Sequence, residues 1–217
     1  MRCLRPLWLL LILLTAVPAG AGELSPVRLG LVLPMAEEAG RVRQSMRRAA
    51  EMAVADWTEK LGRKVDLVVG DDQFDPKQAV TAAEKLVQDG VWGVVGHFYS
   101  SSSIPASVVY HEAGIPMVTP TSTHPRLTEQ EFENVFRVCG RDDQQAATAA
   151  EFLFARLRAR RIAVVHDRTE YGRALADALA RSVKRQTGRR IVAAEMLSQG
   201  EKDFSTQVAR LKAAKPD

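Results

Sequence analysis

Short apolar runs alternate along the chain with stretches in which apolar residues recur every three or four positions. The runs Val27 to Leu33 (VRLGLVL), Val65 to Gly70 (VDLVVG), Val91 to Val95 (VWGVV) and Ile115 to Val118 (IPMV) are apolar on both faces, as strands buried within a parallel sheet must be. Helical periodicity fills the gaps at Val42 to Leu61, Lys77 to Gln88 and Pro105 to Ala113. Asp75-Pro76 sets an N-cap carboxylate before a proline whose missing N–H is harmless in a first turn, and Gly90 and Gly114 stand where helices should stop. The pattern predicts an α/β fold, a parallel sheet with helices on both faces.

A second set begins near Asp142. Asp142 to Arg158 reads as a helix, Arg161 to Val165 as a strand, Tyr171 to Thr187 as a helix, Arg190 to Met196 as a strand and Phe204 to Ala214 as a helix. Glu131 to Gly140 joins the two sets and reads as a crossover strand. The pattern calls for a further strand at Lys215-Pro216-Asp217, so the second set holds about two strands, too few for an independent doubly wound domain. The expected division is a leader over 1–21, a first lobe over 22–135, a crossover or hinge over 136–141 and an incomplete second lobe over 142–217, together the front portion of a larger protein.

The leader expectation rests on Arg2 and Arg5, an apolar run from Leu7 to about Val17, and the small-x-small site Ala19-Gly20-Ala21. That run falls short of the ~20 residues of a spanning helix. Cys3 precedes it, whereas a lipid-anchor cysteine would follow. Losing Arg2 and Arg5 reduces 30 basic residues to 28, against 26 acidic. The balance is then nearly neutral, and charges of both signs alternate along Glu37 to Arg48 and Glu170 to Lys184, which argues against a nucleic-acid surface. Arg156, Arg158, Arg160 and Arg161 suit the carbonyl end of a helix dipole. Only Cys139 remains after cleavage, so no intrachain disulfide can form.

Candidate chemistry gathers at two strand ends. "HFYSSSSIPAS" follows the third strand and "VTPTSTHP" the fourth, and in an open parallel sheet ligands bind beyond the carboxyl ends of the strands. Hydroxyls and free N–H groups at a helix start bind a carboxylate or phosphate, although the same residues can serve only as caps. Catalysis has less support. No G-x-S-x-G elbow is present, and a secreted hydrolase would have to pair Ser100 with His97 or His124. His97, His111, His124 and His166 stand singly, without zinc spacing, and Asp71-Asp72 either holds a metal or caps its loop. Neither G-x-G-x-x-G nor a P-loop occurs, so no cofactor or metal is expected.

Five colinear segments carry a resemblance: "DDQFDPKQAV" (Asp71 to Val80), "GHFYSSSSIPAS" (Gly96 to Ser107), "GIPMVTPTSTHPRLT" (Gly114 to Thr128), "RIAVVHDRTEYG" (Arg161 to Gly172) and "GEKDFSTQVARLKAAKPD" (Gly200 to Asp217). In these the chain resembles the periplasmic substrate-binding proteins of branched-chain amino acid ABC transporters, the Leu/Ile/Val-binding type. The resemblance implies a type I periplasmic binding fold, two α/β lobes closing on a free amino acid, which a monomer in the periplasm delivers to an inner-membrane ABC permease. It also implies that Ser100 and Thr123 offer hydroxyls to the zwitterion. The backbone at Thr121 would then offer a carbonyl to the ammonium, Ser122 would lie in the same loop, and Tyr171 would reach in from the second lobe. A sensory ligand-binding module of the same fold is the alternative. Three departures stand out: Phe74 and Tyr99 occupy the positions of a cysteine pair in many relatives and are expected to pack together; "MAEEAGRVR" (Met35 to Arg43) replaces the usual first loop, with Val42 in place of a pocket aromatic; and the family chain continues past Lys215 to Asp217, supplying an acidic residue for the ammonium that is absent here.

Overall fold

The computed structural model describes residues 24–35, 40–198 and 200–217. The predicted leader and most of the loop at 36–39 lie outside the described residues. The first set folds as β1 (Val27–Val32), α1 (Gly40–Leu61), β2 (Val65–Gly70), α2 (Pro76–Gln88), β3 (Gly93–Val95), α3 (Ser100–Glu112), β4 (Met117–Thr119), α4 (Arg126–Glu129) and β5 (Val135–Arg137). Its five strands lie in the order β2-β1-β3-β4-β5, every neighbouring pair parallel. The chain therefore runs outward from β1 in both directions, and the loops after β1 and β3 diverge to leave a crevice at the carboxyl end of the sheet.

α2 starts as its sequence dictates. Asp75 accepts from the backbone N–H groups of Lys77 and Gln78 at 2.8 and 2.9 Å, and Pro76 occupies the first helical position. The apolar face of α2 (Ala79, Ala83, Leu86) meets Val32 and Val94 of the sheet, with Ile104, Ala106 and Tyr110 of α3 and Met117 of β4 in the same core. Phe74 and Tyr99 pack as expected, ring centroids 4.9 Å apart.

The second set comprises α5 (Asp142–Glu151), a π-helical turn at Phe152–Arg156, β6 (Ala163–His166), α6 (Glu170–Thr187), β7 (Ala193–Met196) and α7 (Ser205–Ala214). β6 and β7 form a parallel two-stranded sheet, over which Ala150, Ile162, Val164 and Val183 make a separate small core. β5 lies between the sets in sequence and closes the edge of the first sheet beside β4.

The structure corrects three sequence-based expectations. α3 begins at Ser100 rather than Pro105, because the N–H groups of Ser102 and Ser103 already bond to the Tyr99 carbonyl at 3.1 and 2.8 Å, and Pro105 removes only one later donor. The helix from Asp142 loosens into a π turn, with the Leu157 N–H reaching the Phe152 carbonyl at 3.1 Å. α4, a single turn after Pro125, is too short to show periodicity.

Gly96 marks a close approach of one backbone to another at the end of β3. Its φ is +133°, and a Cβ there would lie 2.6 Å from the Val32 carbonyl oxygen. Gly96→Ala is expected to lower the unfolding free energy by about 3 kcal/mol, from combined overpacking and backbone strain. Urea denaturation followed by circular dichroism measures this; an unchanged midpoint would show that the β1–β3 junction relaxes freely.

Candidate functional site

The loops after β3 and β4 are fastened together by hydroxyls. The backbone carbonyl of His97 accepts from Thr119 Oγ1 at 3.0 Å and from Ser103 Oγ and Ser122 Oγ at 3.2 Å each. The next carbonyl, that of Phe98, accepts from Thr121 Oγ1 at 2.7 Å. These four hydroxyls are thereby occupied within the protein.

Below them lies a fully buried chain of three side chains. His97 Nδ1 meets Asp72 Oδ2 at 2.9 Å, and His97 Nε2 meets the Tyr110 hydroxyl at 3.2 Å. With Asp72 as acceptor, Nδ1 carries the ring proton and Nε2 accepts from Tyr110. Burial, followed by the field of Asp72, pushes the Tyr110 phenol well above its ordinary pKa. Asp72 Oδ1 also accepts from the Phe74 N–H at 3.3 Å, while Asp71 Oδ1 accepts from Met35 and Gln73. The acid pair thus caps its loop and orients a histidine.

Both ring nitrogens of His97 are engaged, and His124 reaches Ser100 only through its backbone, its N–H donating to Ser100 Oγ at 3.3 Å. Neither imidazole is placed to activate Ser100, and the hydrolase alternative loses its geometric basis.

The cleft between the lobes has a volume of about 680 Å³ and is lined by Phe74, Tyr99, Ser100 and Ser101 on one side and by Thr169, Glu170 and Tyr171 on the other. Ser100 stands at the N-terminus of α3, where backbone donors and the dipole favour a negative group. Tyr171 is 40% exposed in the first turn of α6, a helix capped by Thr169 Oγ1 accepting from the Gly172 N–H at 2.9 Å. Burial, then the fields of Asp72 and, from the second lobe, Asp167, raise the Tyr99 phenol.

Of the residues singled out in the sequence, Ser100 and Tyr171 line this cleft, whereas Thr121, Ser122 and Thr123 lie in the neighbouring β4 loop. Ser122 is buried with its hydroxyl turned to internal acceptors. Thr123 Oγ1, by contrast, is buried without a hydrogen-bond partner. Val42 is 49% exposed in α1 and does not line the cleft.

Sequence reasoning missed Asp142. It starts α5, it is fully buried, and neither of its carboxylate oxygens has a hydrogen-bond partner. Its backbone N–H donates to the Thr123 carbonyl at 3.0 Å, so the backbones of the two residues are tied to each other. Nearby, Arg137 donates to the carbonyls of Ser122 and His124 at 2.9 Å each and to Thr128 Oγ1. Burial lowers the Arg137 pKa, and the field of Asp142 is among those opposing the shift. The position of Asp142 between a predicted crossover and a predicted helix suggested only an acidic first turn.

The arrangement is a crevice at strand ends, lined by Ser100 and Ser101 and by Tyr171 from the second lobe, beside a hydroxyl-rich loop whose Thr123 carbonyl is bonded to the start of α5. A profile of the periplasmic binding protein family matches residues 26–217, and the chain belongs to that family. It is 39% identical over 205 residues to Leu/Ile/Val-binding protein homolog 1 of Brucella melitensis, covering 93% of this chain and 55% of that protein. It is 45% identical over 166 residues to the Leu/Ile/Val-binding protein of Escherichia coli K12, covering 75% of this chain and 45% of that one. Among solved structures, the leucine-binding protein LivK of Thermotoga maritima superimposes with a TM-score of 0.73 at 27% identity, over 88% of this chain and 54% of that chain. The chain spans about half the length of these relatives. The type I periplasmic binding fold expected from the sequence is the fold observed.

The buried relay gives a test of its own. Tyr110→Phe leaves His97 Nε2 without a donor and is expected to lower stability by about 1–3 kcal/mol. Chemical denaturation of the variant against the parent chain checks this, and a loss near zero would mean that Tyr110 serves the core by packing alone.

Proposed function

We propose that the chain captures a free amino acid of the branched-chain class and that the protein containing it is the substrate-binding component of an ABC transporter. The observation that carries this reading is the pair Thr123 Oγ1 and Asp142. A buried carboxylate without partners costs several kcal/mol, and an ammonium group bonded to it removes that penalty.

Each end of a zwitterion has a complement. Ser100 and the N-terminus of α3 receive the α-carboxylate, at the positive end of the helix dipole. Thr123 Oγ1, the Thr121 carbonyl and Asp142 receive the α-ammonium, and Tyr171 covers the ligand from the second lobe. Phe74 and Tyr99 supply apolar surface for an aliphatic side chain. Ser122 contributes by holding its loop. No covalent step is involved, and closure of the lobes is the signal that a permease in the inner membrane reads. The family and the leader pattern over residues 1–21 support capture in the periplasm.

Titration calorimetry of the purified chain with L-leucine, L-isoleucine and L-valine tests the reading. Ser100→Ala, Thr123→Ala and Asp142→Asn are each expected to weaken binding about ten- to a hundred-fold, from loss of a charge-assisted hydrogen bond. Asp142→Asn should at the same time raise ligand-free stability by about 1–3 kcal/mol, because a neutral amide is easier to bury than an unpaired carboxylate. A folded chain that binds none of the three amino acids would overturn the ligand assignment.

A further inference from the structure

A carboxylate–imidazole contact crosses the cleft. His124 Nε2 lies 3.6 Å from Glu170 Oε1, the imidazole belonging to the β4 loop and the carboxylate to the first turn of α6. The distance is too long for a hydrogen bond and short enough for charge attraction.

Its orientation is fixed from both sides. His124 Nδ1 accepts from the Arg126 N–H at 3.1 Å, so in the neutral ring the proton sits on Nε2 and points to Glu170. The His124 backbone is held as well, its carbonyl by Arg137 at 2.9 Å and its N–H by Ser100 Oγ at 3.3 Å. On the other lobe Arg173 takes Glu170 Oε2 at 2.9 Å, and Oε1 faces the histidine.

Both partners adjoin groups assigned to the ligand. Thr123 precedes His124, and Tyr171 follows Glu170. A contact between His124 and Glu170 therefore fixes how closely Tyr171 approaches Thr123. Both side chains retain some solvent, 17% and 35% exposed, so the pair forms without the desolvation penalty of a buried ion pair.

We propose that His124 and Glu170 are positioning residues which hold the second lobe against the first and thereby slow release of the bound amino acid. The effect on release rests on the cleft being an amino acid site; the effect on lobe spacing does not. His124 touches no assigned ligand group with its side chain, so its truncation leaves the zwitterion contacts intact.

Two measurements separate these parts. Electron–electron resonance distances between spin labels at Glu112→Cys and Lys184→Cys, in a Cys139→Ser background, report lobe spacing without ligand. Stopped-flow kinetics with L-leucine report association and release. His124→Ala and Glu170→Gln are each expected to broaden the distance distribution towards wider spacings and to speed release about three-fold, as for a partly exposed ion pair, with association unchanged. The double variant should do no more than either single one, the swap His124→Glu with Glu170→Lys should restore both readouts, and Arg173→Ala should leave lobe spacing in place. Unaltered spacing in both single variants, or strictly additive effects in the double, overturns the proposal. If the parent chain does not bind L-leucine while spacing still responds to the pair, the positioning role stands and the ligand reading fails.

Discussion

A carbonyl buried at the end of a strand has to find donors, and at His97 it finds three hydroxyls, those of Ser103, Thr119 and Ser122. They come from α3, from β4 and from the loop after β4, so one acceptor ties together every segment that shapes the crevice on this side. The Phe98 carbonyl adds Thr121 to the same knot. Underneath, Asp72 and Tyr110 fix the His97 ring and with it the direction of the peptide that carries the accepting oxygen. The Ser103 and Ser122 hydroxyls also bond to each other, so removing either one leaves its buried partner's hydrogen bonding to be re-made in a low-dielectric interior.

That demand also sorts the hydroxyls. Ser100 and Thr123 are spared by the knot, while Ser103, Thr119, Thr121 and Ser122 are consumed by it. A cluster that looks uniform in sequence therefore has two classes, one that builds the loops and one that remains for a ligand. At Asp142 the same rule is broken outright, since a buried carboxylate faces no donor. A buried carboxyl without hydrogen-bond partners is among the groups a fold rarely retains.

Much of this fold was legible because it depends on local chemistry. Asp75-Pro76 starts α2 and the apolar run Val65–Gly70 is β2, while the Phe74–Tyr99 contact was expected from the resemblance, which sets the two rings where many relatives carry a cysteine pair. α3 was misread because Pro105 imitates a helix start, while the true start lies in serines whose polarity hides that four of the first eight helical residues are fully or nearly fully buried serines. The pairings that define the site were invisible for a different reason. Asp72 and His97 are 25 residues apart and Ser103 and Ser122 are 19 apart, so only the fold brings them together. Asp142 was hidden most completely, because an acidic residue in the first turn of a helix is ordinary, and only its burial without partners distinguishes it.

The two lobes contribute to the cleft on unequal terms. First-lobe groups are fixed by the His97 knot whether or not a ligand is present. Apart from Gly200, the second-lobe groups ride on the start of α6, whose place is set by packing against α5 and the small sheet through Ala178, Val183 and Ala150. Thr169, Glu170 and Tyr171 must therefore move as one body with that core. Asp142 sits where this body joins the first lobe, and its N–H is bonded to the Thr123 carbonyl. The joint between the fixed loop and the start of α5 thus includes a main-chain hydrogen bond, which no change of side-chain charge removes.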